Sequence, residues 1–139
     1  MPFYLFYEFL QIVFIVLLRA FSFFSRNKKL KRFLELRNPF LFINKINEIS
    51  DKFNELKKNR NGIKIYWIHV SSAGELEQAI PIARYFLTQI DAVFFLTYYS
   101  PSAEPFIKNF PSLIGSTGLP IDLSFIYNKI LCTVNCFIF

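Results

Sequence analysis

Glycine is scarce in this chain of 139 residues. The four present, Gly62, Gly74, Gly115 and Gly118, form neither a G-x-G-x-x-G turn nor a P-loop. The familiar dinucleotide and nucleoside-triphosphate sites are therefore unsupported. There is one histidine, His69, and no G-x-S-x-G elbow, so a Ser-His-acid triad has no sequence basis. The two cysteines, Cys132 and Cys136 in "CTVNC", have no second pair and no neighbouring histidine. A zinc site is not expected, and buried thiols in an apolar strand fit a reducing compartment. No metal or cofactor is called for. Acidic residues number 10 against 16 Lys and Arg, a net charge of +6. That surplus raises nucleic acid as a partner, but most of the basic residues lie in two short runs, one of them directly behind a greasy segment. No nucleic-acid partner is expected.

What the chain has in abundance is apolar surface. Hydrophobic residues make up 53% and aromatics 19%, with 19 Phe, well above an ordinary soluble domain. The first 25 residues, "MPFYLFYEFLQIVFIVLLRAFSFFS", carry only Glu8 and Arg19 as charges. If both snorkel towards headgroups, the segment is long enough to span a bilayer or to lie deep in its interface. The run "RNKKLKRFLELR" follows, and by the positive-inside rule it places the rest of the chain in the cytoplasm. Arg26, Lys28, Lys29 and Lys31 are the expected contacts for anionic membrane lipid. A cleaved leader is disfavoured, because no small-residue cleavage site follows and the charge comes after the apolar run. The chain thus divides into an anchor segment at 1–25, a basic and amphipathic helical region at 26–62, and an α/β region at 63–139.

In the helical region Ile43, Ile46, Ile49, Phe53 and Leu56 recur at three- and four-residue steps, and "KKNRNG" ends the stretch. From Ile63 the pattern changes. "IKIYWIHV" reads as a strand and "ELEQAIPIARYFLTQI" as a helix, with Leu76, Ala79, Ile80, Ala83, Leu87 and Ile90 on one stripe. Pro81 is tolerable early in that helix and otherwise kinks it. "AVFFLT" is a short buried strand, and "YYSPSAEPFIKNF" a loop leading into a short helix. "SLIGSTGLP" is a strand and turn, "IDLSFIYNKI" a helix, and "LCTVNCFIF" a last strand. Alternation of this kind, with strands as continuous apolar runs, gives an α/β fold with a parallel sheet covered by helices on both faces. Ligands bind such sheets beyond the carboxyl ends of the strands. The loops "HVSSAGE" and "TYYSPSAE" fall there, so Ser71, Ser72, Glu75, Ser100 and Ser102 are expected to face one crevice.

Glu75 has two readings. In the first turn of a helix its charge complements the helix dipole, worth about 0.3 to 1 kcal/mol, with Ser71 or Ser72 as an ordinary N-cap. Alternatively it is a general base, ionised at the strand's end and placed to take a proton from an attacking hydroxyl. His69 reads as a structural histidine that hydrogen-bonds at the end of its strand.

At these residues the chain resembles a family. "WIHVSSAGELEQAIPI" is similar to the W-I-H-x-x-S-x-G-E motif, with its Pro-containing helix, of 3-deoxy-D-manno-octulosonic acid (Kdo) transferases. "FLTYYSPSAE" is similar to that family's L-T-x-x-[ST]-P-[ST]-G segment, and "GLPIDLSF" to its L-P-x-D segment, in the same order. The resemblance implies a GT-B glycosyltransferase, of which this chain covers the N-terminal, acceptor-side, Rossmann-like half behind an N-terminal hydrophobic anchor helix. It implies an enzyme on the cytoplasmic face of the bacterial inner membrane. Such an enzyme moves Kdo from its CMP-activated form to a hydroxyl of the lipid A precursor in lipopolysaccharide synthesis, with inversion and without a metal. Carried over by position, Glu75 matches the general base, Ser72 and Gly74 the acceptor-side loop, and Ser100, Pro101 and Ser102 the second loop. Gly74 is expected to let the backbone turn tightly beneath the carboxylate.

Two departures stand out. Ala103 replaces the glycine of the second loop, where a positive φ would be resisted. The chain also stops after the first half, inside the apolar "CFIF", without the family's next acidic motif or donor-binding half. That ending reads as a truncated product, active only if a second polypeptide supplies the donor side. The alternative is a membrane-anchored remnant or interaction module without catalysis.

Overall fold

The computed structural model describes residues 2–24, 27–120 and 137–138. The expected helix over 121–130, both cysteines and Arg26 lie outside them. Three helices come first: α1 (Pro2–Phe24), α2 (Lys28–Glu35) and α3 (Pro39–Asn59). Asn27 and Asn38 start α2 and α3, the Asn27 side-chain oxygen accepting from Lys29 N and Leu30 N and that of Asn38 from Phe40 N. These groups have no partner inside the helix, which is why a short amide or hydroxyl side chain is favoured there.

Beyond Gly62, whose φ of +79° makes the turn that glycine tolerates best, the α/β region begins. It runs β1 (Lys64–Val70), α4 (Ala73–Gln89), β2 (Ala92–Tyr98), a 3₁₀ segment (Pro101–Asn109), β3 (Leu113–Gly118) and β4 (Phe137–Ile138). The strands form one sheet in the order β3-β2-β1-β4. Every pairing is parallel: Lys64 faces Ala92, His69 faces Thr97 and Tyr66 faces Phe137. All seven residues of β2 are buried, as a central strand covered on both faces requires. The α/β fold with its parallel sheet is therefore as the apolar runs predict.

The alternating side chains sort into two cores. Ile65, Val93 and Phe95 pack on one face against Phe42, Ile46, Ile49 and Phe53 of α3. Tyr66, Val70, Phe94, Leu96 and Tyr98 pack on the other against Leu76 and Ala83 of α4, with Ala103 and Phe110. Phe42, not Ile43, completes the buried stripe of α3. Pro81 does not confine itself to the first turn of α4; the helix continues past it to Gln89. Pro81 is exposed, so the carbonyl that its missing N–H would have bonded can turn to water.

Two glycines permit close approach. A Cβ on Gly115 would lie 2.6 Å from Ile49 Cγ1, and one on Gly118 would lie 2.6 Å from Leu36 Cβ. The first lets α3 sit on β3; the second brings the end of α2 down onto the end of the sheet.

Among the described residues no helix is long and apolar enough to cross a membrane. In α1 the polar or charged Glu8 and Gln11 share the less exposed stripe with Ile15 and Leu18, whereas Leu5, Phe6, Phe9, Leu10, Phe14 and Leu17 are exposed. The helix therefore has a stripe turned towards the domain and a broad apolar face turned outward.

Candidate functional site at the carboxyl edge of the sheet

Three loops leave the carboxyl ends of β1, β2 and β3, and the backbone ties them together. Tyr99 N donates to Val70 O and Ser100 N to Ser71 O, both at 3.0 Å, while Leu119 N donates to Tyr98 O at 2.8 Å. These bonds continue the parallel ladder past the strands. They hold "HVSSAGE" beside "TYYSPSAE" without needing any side chain.

Glu75 sits in the first turn of α4, whose N-cap is Ser72. Its Oε2 accepts from Ser71 N at 2.6 Å. The carboxylate thus supplies the reach-back half of a capping box, displaced by one residue. Ser72 supplies no side-chain cap bond, so its hydroxyl, expected as an ordinary cap if Ser71 is not one, is not spent on the helix. In the second loop Ser100 is the N-cap of the 3₁₀ segment, and its Oγ accepts from Ser102 N at 3.2 Å and from Ser102 Oγ at 2.9 Å. A hydroxyl that accepts twice keeps its own hydrogen to donate. Glu75, Ser71, Ser100 and Ser102 are consequently one hydrogen-bonded series along the edge, with Ser72 beside it.

The tight-turn role expected of Gly74 is not what the structure shows. Gly62 is the described glycine with positive φ, and a Cβ on Gly74 would meet nothing within 4 Å. Gly74 lies inside the first helical turn, where an ordinary α conformation suffices. What its missing side chain leaves is bare helix N-terminus beside the carboxylate. Ala103, likewise, is not at a positive φ: it lies in the 3₁₀ segment and is fully buried. Its methyl fills core where a glycine would leave a void.

The basic residues separate into three groups that adjacency in sequence conceals. Lys28, Lys29 and Lys31 are exposed on α2. Arg32 grips Glu104 of the 3₁₀ segment, Nη2 to Oε1 at 2.6 Å and Nε to Oε2 at 3.2 Å, and Tyr98 Oη donates to the same Oε1 at 2.9 Å. The Arg32 bond, chiefly, holds the Glu104 carboxyl below its ordinary pKa, while burial and then Glu104 push the Tyr98 phenol up. Arg37 is buried, its guanidinium 3.8 Å from the Tyr99 ring centre and 4.4 Å from that of Phe33. It donates to Tyr99 O at 2.6 Å and also to Leu119 O. Arg37 thereby clamps the loops after β2 and β3, a role invisible in a run of six cations.

Trp67, Thr97 and His69 form a second polar series, on the α3 side of the sheet. Thr97 is fully buried, and its Oγ accepts from Trp67 Nε1 at 2.8 Å and lies 3.0 Å from His69 Nδ1. Burial against the sheet pushes the imidazole pKa below 6.5, with the Glu75 charge and the Thr97 backbone opposing and Arg37 adding to the fall. The expected structural hydrogen bond at the strand's end is there, and its partner is the cross-strand threonine. Among the described residues no group of His, Cys, Asp or Glu could hold a metal ion.

A parallel sheet whose strand-end loops present a carboxylate, hydroxyls and a helix N-terminus is an α/β unit of the kind that receives ligands at that edge. The model of the 3-deoxy-D-manno-octulosonic-acid transferase (Kdo transferase) family matches residues 45–139, more than half of the chain, and the chain belongs to that family. No curated protein and no solved structure matches it in the other two comparisons.

Proposed function

We propose that this chain carries the acceptor side of a Kdo transfer in lipopolysaccharide synthesis, with Glu75 as general base. The observation that carries the reading is the backbone-tied edge. In a chain of this family, it sets a carboxylate and the Ser71, Ser72, Ser100 and Ser102 loops where parallel sheets receive ligands. In this reading the acceptor is a hydroxyl of the lipid A precursor and the donor is CMP-activated Kdo. Glu75 takes the hydroxyl proton as its oxygen attacks the anomeric carbon from the face opposite CMP, which leaves with the bonding pair; the product is inverted. Oε2 is held by the Ser71 N–H, so Oε1 is the oxygen directed to the acceptor. Neither metal nor cofactor enters the step.

Transfer requires donor and acceptor to be held together, and the described residues form one α/β unit. The donor side of the GT-B arrangement is therefore assigned to a second unit. The exposed apolar face of α1, with Lys28, Lys29 and Lys31 near it in sequence, rests on anionic lipid in this reading, at the cytoplasmic face of the inner membrane. Arg26, outside the described residues, belongs to the same basic run.

A second reading is favoured by one bond. The 2.6 Å contact from Ser71 N to Glu75 Oε2 is what a helix-capping glutamate makes in a non-catalytic interaction module. Transfer assays with CMP-Kdo and lipid A precursor, run with a donor-side unit of the family supplied in trans, separate the two. Turnover by the wild type that falls at least about 10²-fold in Glu75→Gln supports the base. Turnover unchanged in Glu75→Gln removes Glu75 from the chemistry. Acceptor binding with no turnover at any enzyme concentration, together with a Glu75→Gln defect in stability alone, establishes the module.

A further inference from the structure

His69 is the one histidine of the chain, and the proposed step does not use it. Its ring is nevertheless fixed. Thr97 Oγ, fully buried, has one hydrogen to give and two lone pairs to share. Trp67 Nε1 can only donate, so the 2.8 Å contact takes one lone pair. The hydroxyl hydrogen then needs an acceptor, since a buried donor left without one is costly. Among the described residues the group in place is His69 Nδ1, at 3.0 Å. If Nδ1 carried a hydrogen instead, two donors would point at the threonine oxygen and its own hydrogen would have no partner there.

The series therefore runs Trp67 N–H to Thr97 O, then Thr97 O–H to His69 Nδ1. That direction makes Nδ1 the acceptor nitrogen and places the ring hydrogen on Nε2. In an imidazole the two nitrogens lie on opposite sides of the ring, so with Nδ1 bound to the buried threonine, Nε2 is on the side away from it. His69 is an exposed residue at the carboxyl end of β1, one strand-to-helix loop before Glu75, and its ring senses the Glu75 charge. Burial lowers the imidazole's affinity for a second proton, which favours the neutral ring. The charges bearing on it are Glu75 and Arg37, and the Thr97 backbone opposes the effect of burial.

From this hydrogen-bond direction we infer that His69 is held neutral with its hydrogen on Nε2, as a donor to an oxygen of the acceptor bound at this edge. The inference rests on the acceptor-side reading above and adds a positioning role: Glu75 removes a proton from one acceptor oxygen while His69 offers a hydrogen to another.

Two measurements test it with the full chain. In long-range ¹H–¹⁵N spectra at neutral pH, the expected pattern is an acceptor-type Nδ1 and a protonated Nε2. A protonated Nδ1, donating towards the Thr97 backbone, or a doubly protonated ring overturns the inference without touching the role of Glu75. The second measurement is binding of detergent-solubilised lipid A precursor to His69→Gln and His69→Asn, with stability followed in parallel. The glutamine amide nitrogen falls near Nε2 and the asparagine amide near Nδ1. His69→Gln should keep the wild-type affinity within about threefold, and His69→Asn should lose about tenfold, the worth of one good hydrogen bond. Rescue by asparagine rather than glutamine, or equal affinities, reduces His69 to its threonine bond and overturns the donor role. If the wild type does not bind the precursor, the acceptor-side reading fails, and the donor role fails with it, whatever the tautomer.

Discussion

Glu104 illustrates how a single side chain in the second loop can be tied to a distant helix. It accepts from Arg32 of α2 through both carboxylate oxygens and from Tyr98 at the end of β2. The carboxyl is held below its ordinary 4.5 mainly by Arg32. A carboxyl whose pKa is lower folded than unfolded stabilises the fold above the unfolded value, and that contribution disappears as pH falls through the folded value. Stability should therefore decline on acidification from pH 5 downwards, and Glu104→Gln should flatten this part of the profile. At neutral pH the substitution should cost about 1 kcal/mol, the upper end for a partly exposed pair. Urea unfolding of both proteins across that pH range checks it. A parallel decline in the two proteins would show that Glu104 is not the titrating group.

The same residue shows what sequence adjacency conceals. Arg32, Arg37 and Lys31 stand within seven positions, yet one is ion-paired to Glu104, one is buried between Phe33 and Tyr99, and one is exposed. The long-range hydrogen-bond partners of Arg32 and Arg37 lie 62 to 82 residues away. No local pattern encodes such contacts. The Thr97 hydroxyl, shared by Trp67 and His69, is likewise illegible before the parallel register of β1 on β2 is known.

At the scale of elements, periodicity was more informative. The three- and four-residue spacing of Ile46, Ile49 and Phe53 defines the buried face of α3, because apolar periodicity reports which side meets the core. It misplaces one end, choosing Ile43 over Phe42, because neighbouring apolar residues at 100° intervals cannot be ranked without the sheet they meet. The loops that make the candidate site were legible from strand and helix order alone. The role of Gly74 was not: a glycine beside a helix start suggests a strained turn, while the structure places it inside the helix.

Close packing between elements yields a sharper expectation. The new methyl in Gly115→Ala meets the Ile49 side chain, which can shift only within a filled core, whereas in Gly118→Ala it meets Leu36 Cβ at 2.6 Å and Leu36 O at 3.0 Å. Cβ and carbonyl atoms move only with the backbone. Both substitutions should destabilise by about 1 to 3 kcal/mol, with Gly118→Ala the more costly. Chemical denaturation of the two variants measures the order. Gly118→Ala should also loosen the α2 contact at the end of the sheet, so equal costs would mean that α2 yields as a whole.

At the scale of the molecule, α2, proposed above to face lipid, and the candidate site are mechanically one piece. α2 carries Lys28, Lys29 and Lys31, and through Arg32 it holds the segment that follows Ser100. Arg37, just beyond α2, clamps the Tyr99 and Leu119 carbonyls at the same edge. A membrane seen by those lysines would fix the height of the edge above the headgroups, which is what an enzyme taking its acceptor from a bilayer needs. The outward apolar face of α1 would add salt-independent binding, and the lysines a salt-dependent part. Replacing Lys28, Lys29 and Lys31 together by Gln should weaken binding to vesicles containing anionic lipid by about 1 kcal/mol per lysine at low salt. The difference should shrink as salt approaches 1 M, where the Debye length falls to about 3 Å. Binding to neutral vesicles should be unchanged, because α1 alone carries it. Flotation assays at two salt concentrations separate these contributions. Equal binding of the wild type and triple variant to anionic vesicles at low salt would turn α2 away from the lipid and leave α1 as the only contact.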